Sequence, residues 1–159
     1  MTVSMIQSSF AQKAKYQSIF IYNFSRYIKW PDHMNTGDFV IGVLGDKELY
    51  THLSNMSANK RQTQGMALKV VNYNSIAEVE KCHILVVASR FSSQISGISS
   101  NANLSNSAIV TNGEGLAKKG STINFIEKDG KIKFELNQDD ANKRGLKVSS
   151  SLLSLAILV

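Results

Sequence analysis

The chain has a single cysteine, a single proline and no long run of apolar residues. Cys82 alone cannot form a disulfide within the chain, and its neighbour His83 does not make a metal site without further ligands. We expect Cys82 to be a small buried residue of an apolar strand. No segment reaches the roughly 18 apolar residues that span a bilayer. The sequence therefore predicts no bound metal or cofactor and no membrane-spanning segment.

Dense clusters of positive charge are also missing. The net charge of +6 and the pI of 9.5 would suit a polyanion. However, the lysines and arginines are scattered from Lys13 to Lys147. A surface for single-stranded nucleic acid needs cations interleaved with aromatic residues on one face, and we predict no nucleic-acid partner.

The sequence lacks the residue patterns of common catalytic and nucleotide sites. The segment VLGDKEL has one glycine where a dinucleotide fold has G-x-G-x-x-G, and the spacing in TNGEG is wrong. The histidines His33, His52 and His83 lie on unrelated segments. We therefore predict that the protein is not an enzyme.

The first long element of the chain is a predicted helix. Residues 6–30 contain no glycine or proline, and apolar residues recur there at helical spacing: Tyr16, Phe20, Phe24, Tyr27 and Ile28. This pattern predicts one long amphipathic helix that runs to Trp30 and is ended by Pro31. We expect Phe20, Phe24 and Tyr27 to pack on a sheet.

Short apolar runs alternate with helical stretches in the middle of the chain. Four runs are interpreted as strands: Phe39–Gly45, Ala67–Tyr73, His83–Ser89 and Ala108–Asn112. Asp46 can cap a helix after the first run, and a helical stretch weakened by Gly97 follows the third. The alternation predicts an α/β fold with a mostly parallel sheet flanked by helices, of the Rossmann or flavodoxin-like type.

A hairpin interrupts this alternation near the end of the chain. The dipeptide Asp129-Gly130 between alternating runs is a strong signal for a two-residue type I′ turn. The register then pairs Phe125 with Phe134 on the core face and Asn124 with Glu135 on an opposite, polar face. After the hairpin we predict a short helix ended by Gly145 and a terminal element capped by Ser149 or Ser150.

Four segments resemble, in order and spacing, the YfiR-type family of small bacterial periplasmic proteins. They are IYNFSRYIKWP, FVIGVLGD, CHILVV and the tail GSTINFIEKDGKIKFELNQDDANKRGLKVSSSLLSLA. The resemblance covers about Ala14 to Ala156 and implies one YfiR-like α/β domain over residues 1–159. It also implies export to the periplasm, a homodimer and no enzymatic activity. No signal peptide is visible in this chain, so we expect one to be encoded upstream.

The resemblance further implies a role in signalling. The best-known members repress an inner-membrane diguanylate cyclase by binding its periplasmic sensor region, which implies a repressor of cyclic di-GMP synthesis. We predict that the partner binds the polar hairpin face and nearby cations, because these are expected to be exposed, charged and rigidly supported. The predicted partner-binding residues are Asn124, Lys133, Glu135, Lys143, Arg144 and Lys147.

A periplasmic module that binds a small ligand or peptidoglycan remains an alternative. Open α/β sheets bind ligands beyond the carboxyl ends of their strands. In this sequence those ends fall near Gly45-Asp46, Ser89-Arg90 and Asn112-Gly113-Glu114. Under this alternative the ligand-binding residues are Asp46, Arg90 and Glu114.

Overall fold

The structure is a computed structural model that describes the backbone of residues 2–159 and the side chains of residues 12–159. Its helices and strands follow one another in this order: α1 (Thr2–Tyr27), β1 (Ile28–Lys29), β2 (Phe39–Leu44), α2 (Lys47–Lys60), β3 (Gln62–Thr63), β4 (Met66–Tyr73), β5 (Ile84–Val87), α3 (Ile95–Ser99), β6 (Ala108–Asn112), β7 (Ile123–Lys128), β8 (Lys131–Leu136), α4 (Gln138–Lys143), β9 (Lys147–Val148), α5 (Ser150–Leu155) and β10 (Ile157–Leu158). Among the described residues, no helix is both long and apolar enough to cross a membrane.

Eight of the strands form one sheet in the order β10-β8-β7-β6-β5-β2-β4-β3. The strands β4, β2, β5, β6 and β7 run parallel to one another, whereas β3 is antiparallel to β4 and β8 returns antiparallel beside β7. β1 and β9 pair in a separate antiparallel ribbon. The predicted α/β class, with a mostly parallel sheet and a C-terminal antiparallel hairpin, is confirmed.

The connections between the later parallel strands are short and irregular. The stretch between β5 and β6 predicted as a weak helix is divided into a 3-10 turn, the five-residue α3 and a second 3-10 turn. Gly97 and the surrounding serines disfavour a longer helix there. Since regular crossover helices are replaced by such turns, the finer assignment to a Rossmann or flavodoxin-like fold stays a prediction.

The helices α1 and α2 cover one face of the sheet. Phe24 is fully buried, and its ring lies 5.9 Å from that of Phe125 and 5.0 Å from that of Phe134. The helix α1 ends at Tyr27 instead of Trp30, because the next two residues pair with β9. The prediction that Tyr27 packs on the sheet is wrong, since its side chain is 39% exposed.

The local signals at the turns and caps are confirmed. The register pairs Phe125 with Phe134 across the hairpin, and φ is positive at both residues of the Asp129-Gly130 turn, at 54° and 75°. Oδ1 of Asp46 accepts from the backbone N–H of Leu49 at 3.0 Å and caps α2. Similarly, Gly145 with φ of 75° follows α4, and Ser149 caps α5.

Candidate functional site

The side chain of Asn124 is buried beneath the loop that follows β6. Its Nδ2 donates to the carbonyl oxygen of Gly113 at 2.7 Å and to Oε1 of Glu135 at 2.8 Å. Its Oδ1 accepts from Oγ1 of Thr111 at 2.8 Å and from the backbone N–H of Gly113 at 3.1 Å. These contacts use the full hydrogen-bonding capacity of the amide. The prediction that Asn124 is exposed is wrong, because its side-chain amide is buried and holds the loop after β6 against the hairpin.

Arg144 is also buried, and it connects α4 to the irregular stretch before β6. Its Nε donates to Oδ2 of Asp140 at 2.8 Å, and its Nη1 donates to the carbonyl oxygen of Leu104 at 2.8 Å. Its Nη2 donates to the carbonyl oxygen and the Oγ of Ser99, at 3.1 and 2.6 Å. The prediction that Arg144 is exposed is wrong, because its guanidinium group is buried and donates to the carbonyl oxygen of Ser99, at the end of α3, and to that of Leu104 in the following turn.

The other predicted partner-binding residues remain accessible but lie on different elements. Lys133 is exposed on β8, and Glu135 is half-buried there with its carboxylate held by Asn124. Lys143 is exposed on α4, where it lines a cleft of about 470 Å³ together with Arg144. Lys147 is exposed on β9 and lines a different cleft. The structure therefore does not gather the six predicted residues into one contiguous site.

A concentration of positive charge surrounds Lys147. In the β1–β9 ribbon, Lys147 lies directly opposite Lys29, and both side chains are exposed. They line a cleft of about 550 Å³ with Arg26 and Tyr27, and we call these four residues the basic ribbon. Within residues 12–159, none of its three cations forms an ion pair with a carboxylate. Like charges directly opposite each other disfavour a strand pair, so folding does not require a lysine at both positions.

The sequence interpretation missed Arg26 and Lys29 as members of a site. Both stand in the segment YNFSRYIKWP, which the periodicity assigned to a single helix. The segment instead changes from α1 to β1 and pairs with a strand from the far end of the chain. A two-residue ribbon between distant segments leaves no periodic pattern that the sequence could have shown.

The alternative ligand site is only partly assembled. A cleft of about 330 Å³ lies beyond the carboxyl ends of β2, β5 and β6, and Asp46 lines it. Arg90 and Glu114 are exposed and are not among its lining residues. The guanidinium group of Arg90 lies over the ring of Phe91 instead, 5.0 Å from its centroid. The complete set of lining residues is Lys13, Ala14, Gln17, Asp46, Glu48, Ser89 and Asn112.

Two of the histidines, His33 and His83, line one cleft of about 250 Å³, whereas His52 lies on α2. His83 is buried, its ring stacks on Phe39 with centroids 4.2 Å apart, and its Nε2 donates to the carbonyl oxygen of Met34 at 2.7 Å. Burial lowers the pKa of His83 below its ordinary value of 6.5, which favours the neutral ring. Among the described residues, no group of three or more His, Cys, Asp and Glu side chains is arranged to hold a metal ion.

Cys82 is expected to be unreactive in the folded protein. Its side chain is buried, and burial raises the pKa of the Cys82 thiol to about 12. Because the thiolate is the reactive form, its reaction with a disulfide reagent at pH 8 should be roughly a thousandfold slower than that of an exposed cysteine. The measurement is the rate of thiol modification in native buffer, compared with the rate in guanidinium chloride. Equal rates under both conditions would contradict the burial of the thiol.

Comparisons with known proteins agree with the resemblance seen in the sequence. Among solved structures, the crystal structure of a conserved domain protein from Vibrio cholerae O1 biovar El Tor strain N16961 is similar in fold, with a TM-score of 0.55 and 15% sequence identity. The alignment covers 76% of this chain and 54% of the Vibrio chain, so this chain spans about half the length of that protein. No curated protein matches the chain. The sequence model of the family described as YfiR/HmsC-like matches residues 14–157, and the chain therefore belongs to the YfiR/HmsC-like family.

Proposed function

We propose that this protein is a periplasmic regulator that binds the periplasmic sensor region of an inner-membrane diguanylate cyclase and represses it. It acts by binding, as an exported homodimer, and has no catalytic activity of its own. Membership of the YfiR/HmsC-like family supports this proposal, since the family suggests periplasmic regulation of diguanylate cyclase signalling.

The basic ribbon is the observation that carries the choice of binding surface. Lys29 and Lys147 repel each other across the ribbon, and Arg26 adds a third positive charge to the same cleft. An acidic segment of a partner would relieve this repulsion. The three cations would therefore stabilise the complex, although they do not stabilise the free protein. The ring of Tyr27 is exposed beside these cations and offers apolar contact area. We therefore infer that the partner presents acidic residues to this ribbon.

The remaining predicted partner-binding residues have two roles in this proposal. Lys133, Glu135 and Lys143 are accessible but lie outside the cleft of the basic ribbon, so in this proposal they make separate, additional contacts to the partner. Buried residues position some of them: Asn124 holds the carboxylate of Glu135, while Arg144 fastens α4, which carries Lys143.

Charge reversal at the basic ribbon tests the proposal. The double variant Lys29→Glu with Lys147→Glu again places like charges opposite each other, so we expect nearly unchanged folding stability. We expect the variant to bind the periplasmic region of the membrane protein encoded beside this gene at least about 100-fold more weakly. The introduced glutamates would repel the acidic residues of the partner, which the lysines attract by several kcal/mol. The measurements are calorimetric titration at low and physiological salt, and cyclic di-GMP synthesis by membranes that contain the cyclase.

A charge-matched control separates a specific effect from a change in net charge. The double variant Lys69→Glu with Lys128→Glu alters two exposed strand lysines outside the basic ribbon, and it should bind and repress like the wild type. Equal weakening in both double variants would contradict the assignment of the ribbon. If the wild-type protein neither binds the sensor region nor lowers cyclic di-GMP synthesis, the proposed function itself is wrong.

A further inference from the structure

The amide nitrogen of Gln17 is buried and has no hydrogen-bond partner. The residue is 5% exposed, and its Nε2 is one of two orphaned buried side-chain atoms within residues 12–159, the other being Oδ1 of Asn72. An unpaired buried N–H group destabilises the folded state, so native structures retain few of them and usually for a reason. Gln17 lines the cleft beyond the carboxyl ends of β2, β5 and β6, so a rotation of its amide group would bring this N–H within reach of a ligand atom.

The position of this cleft in the sheet favours ligand binding. Asp46 comes shortly after β2, Ser89 comes shortly after β5, and Asn112 ends β6, and all three line the cleft. In open parallel sheets, the crevice outside the carboxyl ends of the strands is where ligands bind. The volume of about 330 Å³ suits a small molecule with the size of an amino acid or a monosaccharide.

The charges that line the cleft indicate the chemistry of the ligand. Asp46 and Glu48 are carboxylates, and only Oδ1 of Asp46 has a hydrogen-bond partner among the described residues, through its capping of α2. The cation in the lining, Lys13, is already 3.5 Å from Oε1 of Glu127. The cleft therefore has free acceptors for a cation and, at Gln17, a free donor for an oxygen.

We propose that this cleft binds a small molecule that carries a primary ammonium group and an acceptor oxygen, the chemistry shared by amino acids and amino sugars. The ammonium group contacts the carboxylates of Asp46 and Glu48, and the acceptor oxygen accepts a hydrogen bond from the side-chain N–H of Gln17. This site shares no lining residue with the basic ribbon, so it does not depend on the proposed function.

The side-chain amide resonances of Gln17 report directly on this site. We expect saturable shifts of these two resonances in ¹⁵N-labelled protein on titration with D-glucosamine, L-alanine or D-alanine. Glucose and lactate are matched counterparts without the amine and should cause no shift at the same concentrations. Shifts with glucosamine alone identify an amino sugar site, and shifts with alanine alone identify an amino acid site. If none of the three amines shifts the resonances, or if the amine-free counterparts shift them equally, the proposal is overturned.

Substitution of Gln17 separates a ligand role from a structural one. Gln17→Met removes the unpaired amide, so the melting temperature of the unliganded protein should hold or rise while affinity for the amine falls at least tenfold. Asp46→Asn retains a capping residue but removes the charge, and it should also weaken binding at least tenfold. The exposed Gln12 of the same helix offers the control Gln12→Met, which should bind as the wild type does. A lower melting temperature in Gln17→Met, or wild-type affinity in either test variant, would overturn the proposal.

Discussion

Replacing Phe134 with alanine is expected to lower the free energy of unfolding by about 3 to 5 kcal/mol. The ring of Phe134 is 1% exposed, and it contacts Phe24 edge-on at 5.0 Å and Phe20 at 5.8 Å between centroids. Its loss would leave a cavity where α1 meets the hairpin. The variant would lose the free energy of burying the ring and also the contacts between the ring and α1. The measurement is the change in the midpoint of urea denaturation at constant slope.

The neighbouring residue supplies the control for this prediction. Lys133→Ala changes an exposed side chain on the other face of β8 and should alter stability by no more than about 0.5 kcal/mol. Phe125 is the cross-strand partner of Phe134, so Phe125→Ala should cost a similar amount, and the two losses should not be additive. Equal midpoints for Lys133→Ala and Phe134→Ala would contradict the register of the hairpin.

Local sequence signals predicted the hairpin and the caps because local physics determines them. The Asp129-Gly130 dipeptide adopts positive φ with little strain, and this alone fixes which residues of β7 and β8 face each other. Asp46 and Ser149 cap their helices through contacts three residues away. In such features the two interacting groups lie within a few residues of each other in the chain, so the local sequence is sufficient to predict the contact.

Features that depend on distant segments could not be predicted in the same way. Asn124 was assigned to a polar face by the alternation of its strand, yet the loop after β6 covers it and uses its amide. The end of α1 was assigned from Pro31, whereas Ile28 leaves the helix earlier to pair with Val148. Alternation along a strand shows which face a polar side chain lies on. Only the tertiary fold decides whether its hydrogen bonds are made to water or to the backbone of another segment.

For the candidate sites, the sequence named single residues but not the sets that line one cleft. Lys147 was named as a partner-binding residue, and the structure adds Arg26 and Lys29 beside it. Asp46 was named for the alternative site, and the structure adds the buried Gln17. Polar residues near strand ends and chain termini mark where a surface can lie, but the set that lines one cleft depends on how the elements pack.

The second large effect is expected from Arg144→Met, which should lower the free energy of unfolding by about 3 to 5 kcal/mol. The side chains of Arg144 and Asp140 are only 5% and 13% exposed. Methionine would fill much of the volume but would leave the Asp140 carboxylate without its cation and the carbonyl group of Ser99 without its donor. The carbonyl group of Leu104 would keep only the backbone N–H of Ser107. Urea denaturation at pH 7 measures the loss, and the exposed Arg26→Met, which breaks no ion pair among the described residues, is the control.

A double variant shows whether the uncompensated charge causes this loss. Asp140→Asn with Arg144→Met removes both charges, so it should be more stable than Arg144→Met alone. The lost hydrogen bonds to Ser99 and Leu104 should still keep it below the wild type. A loss under about 1 kcal/mol for Arg144→Met would mean that the pair acts as a surface ion pair and would contradict its burial. Arg144 anchors the end of α4, which leads directly into β9. We therefore expect Arg144→Met to weaken partner binding as well, because it would displace Lys143 and Lys147, although Arg144 itself does not contact the partner.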